Sequence, residues 1–102
     1  MKNATQTTRG KFSREALPTA ISYYTSQGIE LKGNGVWRDA ICQFHADTTP
    51  SLRVNVETGG YKCMSCGARG GDVLDFEQQK HGLNFIEACK KLGAWLEVNN
   101  GY

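Results

Sequence analysis

The clearest periodicity in the chain lies at Ser51 to Glu57, where Leu52, Val54 and Val56 alternate with Ser51, Arg53, Asn55 and Glu57. A period of two marks a strand with one face buried. Thr58-Gly59-Gly60 then turns the chain, and Tyr61-Lys62-Cys63 begins a returning strand with Lys62 on the face opposite its neighbours. Upstream, Ile29 to Lys32 and Val36 to Ile41 read as two further strand segments around Gly33-Asn34-Gly35, because Asn-Gly tolerates the positive φ of a tight hairpin. Helical spacing brackets this region. After Pro18, which suits a first turn, Ala20, Ile21 and Tyr24 recur at helical intervals, and Gly28 can end the helix. Asp72 can cap a helix reaching about His81, with Gly82 as its stop. Asn84 and Glu87 form a capping-box pair opening another helix, on which Phe85, Cys89, Leu92 and Leu96 make one stripe with Ile86 and Trp95 at its edge. The predicted fold class is therefore α+β: a small antiparallel sheet with an N-terminal helix and two C-terminal helices packed against it.

Residues 1–12 are polar and unpatterned and are expected to form a disordered leader; 13–98 would be the domain and 99–102 a tail. With 102 residues and 39% hydrophobic positions, a single domain can enclose only a modest core. Something besides apolar burial is expected to help hold it, and four cysteines with two histidines are the candidates. No stretch resembles a signal-peptide core or the ~18 apolar residues of a spanning helix, which points to a cytoplasmic protein with no membrane partner. In a reducing compartment, paired cysteines more often bind metal than form disulfides. The net charge of +2 is uninformative, but its distribution is not. Residues 1–71 hold nine basic against five acidic side chains, whereas residues 72–102 hold three against five.

Cys42-Gln43-Phe44-His45 sets a thiol and an imidazole two residues apart, and Cys63-Met64-Ser65-Cys66 sets two thiols at the same spacing. Such a gap lets a tight turn aim both side chains at one ion, so two knuckles supply the four ligands of a closed, structural Zn²⁺ site. A redox dithiol at Cys63 and Cys66 would need the start of a helix; here the pair follows a strand. Cys89 falls on the apolar stripe and reads as core, and His81 as a helix C-terminal residue favoured by the dipole. Arg53 and Lys62 point away from the apolar strand face, near Trp37, and with Arg38 and Arg69 they are the candidate nucleic-acid contacts, since cations beside an aromatic suit a single strand. An ordinary solvated sheet face with a core tryptophan remains the alternative.

Cys42-x2-His45, Thr49-Pro50-Ser51, Tyr61-x-Cys63-x2-Cys66-Gly67, then Gly70-Gly71-Asp72 and Phe76 together resemble the zinc-binding domain of bacterial and phage DNA primases, over about Leu17 to Leu96. The 17-residue gap between His45 and Cys63 is typical of that family. The resemblance implies a zinc ribbon holding one ion through Cys42, His45, Cys63 and Cys66. Its sheet face would meet single-stranded template and help choose where RNA primers start, with Arg38, Arg53 and Lys62 at strand positions facing DNA. It also implies that primer synthesis belongs to a separate or downstream Toprim-type domain. This chain, expected to be monomeric and of the kind a phage or mobile element encodes, should then catalyse nothing alone and work beside that domain or a replicative helicase. The other function left open is a zinc-stapled adapter that docks on a replication or transcription protein through residues such as Trp95 and touches no DNA.

Overall fold

The computed structural model describes residues 10–46 and 49–97. Within them the chain runs β1 (Gly10–Phe12), a 3-10 turn (Arg14–Ala16), α1 (Ala20–Ser26), β2 (Trp37–Ala40), β3 (Leu52–Asn55), β4 (Tyr61–Cys63), β5 (Arg69–Gly70), α2 (Val73–His81), α3 (Phe85–Lys91) and β6 (Trp95–Glu97). Strands β2 to β5 form an antiparallel meander in chain order, and β1 pairs with β6 in a separate two-stranded sheet. The α+β class read from the sequence holds.

The alternation at β3 carries the main core. Leu52 and Val54 point inward with Ala40, Tyr61 and Cys63, and this face is covered by Ala20, Tyr23 and Tyr24 of α1 and by Val73 and Phe76 of α2. Phe76 is the hub: its ring meets those of Tyr23, Tyr24, Phe44 and Tyr61 edge-on at centroid distances of 5.9, 5.0, 5.0 and 5.1 Å. Tyr24 donates its hydroxyl to the Gly59 carbonyl and Tyr23 donates to buried Glu77, each at 2.6 Å. Both phenols are pushed far up in pKa, mainly by burial. A smaller cluster of Leu74, Ala88 and Cys89 lies between α2 and α3 and takes in Phe12 and Trp95.

The helix boundaries follow their caps. Thr19 Oγ1 accepts from Ser22 N–H at α1, and Asp72 Oδ1 accepts from Asp75 N–H at α2. Asn84 and Glu87 exchange both bonds of a capping box at α3. Gly82, at φ 66°, closes α2.

Four local expectations are corrected. Tyr23 replaces Ile21 on the buried face of α1, because its hydroxyl reaches Glu77; Ile21 is 44% exposed. Ile29 to Lys32 is no strand: Lys32 and Asp39 share a single bridge, and Arg38 Nε donates to the Gly35 carbonyl at 3.0 Å inside a longer loop. Strand β3 ends at Asn55, whose side chain accepts from Glu57 and Thr58 N–H and so bends the chain into its turn. Finally, α3 stops at Lys91, where Gly93 (φ 76°) allows Gly93 N–H to reach the Lys90 carbonyl and Ala94 N–H the Cys89 carbonyl. The chain then reverses into β6, which turns Trp95 toward the small cluster and leaves Leu96 exposed. Its partner β1 takes residues 10–12 out of the expected leader; residues 1–9, and the expected tail 99–102, lie outside the described residues. Among the described residues no helix is long and apolar enough to cross a membrane.

Candidate metal centre

Two turns bring the four predicted ligands together. The first leaves β2: Cys42 is buried two residues past Ala40, Phe44 N–H donates to Cys42 Sγ at 3.4 Å, and the Phe44 ring packs on Phe76 and Tyr61. That packing anchors the knuckle and leaves His45 aimed at the second one. The second turn joins β4 to β5, where Cys66 and Ser65 N–H groups donate to Cys63 Sγ at 3.3 and 3.4 Å, and Gly67 takes a φ of 82° so that Gly67 N–H returns to the Cys63 carbonyl. The ligand atoms of Cys42, His45, Cys63 and Cys66 all lie within 4.8 Å of one another.

The set suits zinc on its own chemistry: three thiols and an imidazole are the donors of a structural site, and two sulfurs each about 2.3 Å from a tetrahedral ion stand about 3.8 Å apart. Cys42 Sγ and Cys66 Sγ are 3.8 Å apart. On the imidazole, Nδ1 is 3.9 Å from Cys63 Sγ, so it is Nδ1 that faces the cluster, a point left open by the spacing alone. The two buried thiols differ in acidity. Burial opposes the Cys63 thiolate, but the Cys66 N–H, the Ser51 hydroxyl and the Ser65 N–H outweigh it and bring its pKa down to about 6. Burial pushes Cys42 up to about 12 despite the Phe44 N–H. Loading the site therefore displaces the Cys42 proton, and affinity for the ion falls as the pH falls. With four protein ligands the ion would cross-link β2, β4 and the β4–β5 turn and serve no chemical step.

The other motif residues have equally local reasons. Ser51 Oγ of Thr-Pro-Ser stands 3.4 Å from Cys63 Sγ, where it supports the thiolate. Gly70 lies under the Tyr61 ring, and a Cβ there would come within 2.6 Å of the phenol oxygen. Gly71 N–H donates to Asp75 Oδ2 at 2.7 Å, and Asp72 caps α2. Of the remaining cysteine and histidine, Cys89 is fully buried in the small cluster, and His81 Nε2 lies 2.9 Å from Gln27 Oε1 at the end of α2.

On the far side of the sheet the register aligns Asp39, Arg53, Lys62 and Arg69 across β2, β3, β4 and β5, all exposed. Trp37, 49% exposed, is two residues from Asp39 on this face. Arg38 is not there. It pairs with inward-facing Val54 and lines a groove with Ile21, Ile29 and Leu31 on the other side. Asp39 is the residue on this face that the sequence reading missed as a partner: its Oδ1 accepts from Arg53 Nε at 2.9 Å.

A model of the CHC2 zinc finger family matches residues 16–101. The DNA primase of Lactococcus lactis is 39% identical over 78 residues, which cover 76% of this chain and 12% of that protein. That of Deinococcus radiodurans is 46% identical over 64 residues, 61% of this chain and 11% of that protein. The crystal structure of the Aquifex aeolicus primase, containing its zinc-binding and RNA polymerase domains, superposes with a TM-score of 0.61 at 25% identity, over 81% of this chain and 21% of that one. The chain thus spans about an eighth of the curated relatives it matches. Since the family model spans most of the chain and takes in both knuckles, the chain belongs to the CHC2 zinc finger family, the zinc-binding domain of DNA primases.

Proposed function

We propose that this domain binds single-stranded template DNA through the exposed face of its four-stranded sheet and so helps place primer starts, while a primase catalytic domain, in the same or another chain, makes the RNA. The observation that carries the reading is the cross-strand row of Arg53, Lys62 and Arg69 beside exposed Trp37. Cations in a line can follow a phosphate backbone, and an indole beside them offers a stacking surface for a base. Cys42, Cys63 and the Phe76 cluster pack behind this face, where a bound zinc would tie the strand ends together. The matched Aquifex aeolicus structure holds an RNA polymerase domain beside its zinc-binding domain, which supports assigning polymerisation to a partner domain, in this reading one of Toprim type. A replicative helicase is a second partner in the same reading, and the setting is the cytoplasm.

Three phosphate contacts predict a slope of about −2 for log affinity against log salt on a single strand. Reversing two of them in Arg53→Glu/Lys62→Glu is expected to weaken binding at low salt by at least about tenfold. Fluorescence anisotropy with a labelled oligonucleotide reads both quantities. Unchanged affinity in a double variant that retains its zinc would remove the sheet face from the reaction.

A further inference from the structure

One feature of the exposed face works against phosphate binding: a carboxylate, Asp39, stands at the end of the basic row and engages its first cation. An exposed ion pair of this kind contributes little to stability. Yet Asp39 is held in place: its N–H donates to the Lys32 carbonyl at 3.0 Å and its carbonyl accepts from Lys32 N–H at 2.8 Å, which fixes the main chain, and Arg53 Nε at 2.9 Å orients the carboxylate. A rigidly placed acceptor beside a stacking residue is suited to reading a base, because phosphate contacts position a strand while base contacts specify it.

Resting on the strand-binding reading above, we propose that Asp39 and Arg53 select guanine at the template position stacked on Trp37. Trp37 and Asp39 lie two residues apart on one strand face, about 7 Å along it, so a base on the indole presents its edge to the carboxylate. Bases of a single strand are read on their Watson–Crick edges. A carboxylate only accepts, through two adjacent oxygens. Guanine alone places two neighbouring donors there, N1–H and the N2 amine. In cytosine and adenine the exocyclic amine is next to a ring-nitrogen acceptor, and in thymine the single N3–H is flanked by two carbonyls. Each of these three sets a lone pair against the carboxylate. Arg53 completes the match. The contact with Asp39 uses one of its five N–H donors, and the guanidinium stands beside the carboxylate, where guanine O6 would lie beside N1.

The test uses the zinc-loaded full chain and labelled oligothymidylates carrying one central guanine, hypoxanthine, adenine or cytosine, or none, compared by anisotropy at low salt. The guanine strand is expected to bind about tenfold more tightly than the all-thymine strand, and hypoxanthine, which lacks the N2 amine, to lose most of that gain. Asp39→Asn should level the strands to within about twofold while binding the all-thymine strand at least as well, since a negative charge has left the row. Equal binding of all strands by the unaltered protein, or a guanine preference that survives in Asp39→Asn, overturns the proposal and leaves strand binding standing. Failure to bind any strand overturns the strand-binding reading and this proposal with it. The hypoxanthine comparison needs no variant, so it decides the matter even if Asp39→Asn folds poorly.

Discussion

Cys66→Ser is expected to lose its zinc and, with it, the four-stranded sheet. Cys66 is exposed, so exchanging its sulfur for oxygen removes almost no packing, and whatever stability disappears is owed to the metal. That amount is large: the apparent binding energy of a structural zinc is about 10–16 kcal/mol near neutral pH. A domain's whole stability is only about 5–15 kcal/mol. The variant should therefore purify with less than stoichiometric zinc and show a collapsed far-UV circular dichroism signal. Cys89→Ser provides the contrast. It buries a hydroxyl in the small cluster at a cost of about 1–3 kcal/mol, but it should keep one zinc per chain, because Cys89 lies outside the four-ligand group. A folded, zinc-replete Cys66→Ser would mean that the ligand set is wrong.

Phe76→Ala is the second large effect. The ring is fully buried and touches four other aromatic rings, one of them Phe44 inside the first knuckle. Truncating a buried phenylalanine costs about 3–5 kcal/mol through lost transfer energy and the cavity left behind. Here the upper part of that range is expected, because the hole opens between the sheet, α1, α2 and the knuckle together, and no single element can move in to fill it. Urea denaturation of zinc-saturated protein should show a midpoint lowered in proportion with an unchanged slope. Ile21→Ala, on the exposed side of α1, should shift the midpoint hardly at all. Equal losses from the two would show that Phe76 is not the centre of the core.

Much of this arrangement was legible beforehand, and the reasons are specific. The ligand spacing works because each knuckle is a local turn: Cys63 and Cys66 are shaped by N–H groups within three residues of Cys63, and nothing distant is needed. The caps at Asp72 and Asn84 were equally local. What escaped the sequence was long-range. Pairing of β1 with β6 joins residues 83 to 87 positions apart, and no pattern within either three-residue strand announces it. The stripe through Phe85, Cys89, Leu92 and Leu96 was a true helical period only as far as the glycine at 93, where the chain turns back. Gly93 was the signal that could have found the break. The family resemblance alone puts Arg38 among the strand positions facing DNA. In the structure Arg38 falls in register with buried Val54. The pairing of Asp39 with Arg53 was not legible, because only the cross-strand register brings the two together.

The zinc ligand set ties together the strands that carry the exposed face, and X-ray absorption at the zinc K edge of the purified protein reads it directly. The expected spectrum fits three sulfurs at about 2.3 Å and one imidazole nitrogen at about 2.0 Å. A site with fewer than three sulfurs, or with a water oxygen in place of the imidazole, would contradict the closed centre of Cys42, His45, Cys63 and Cys66.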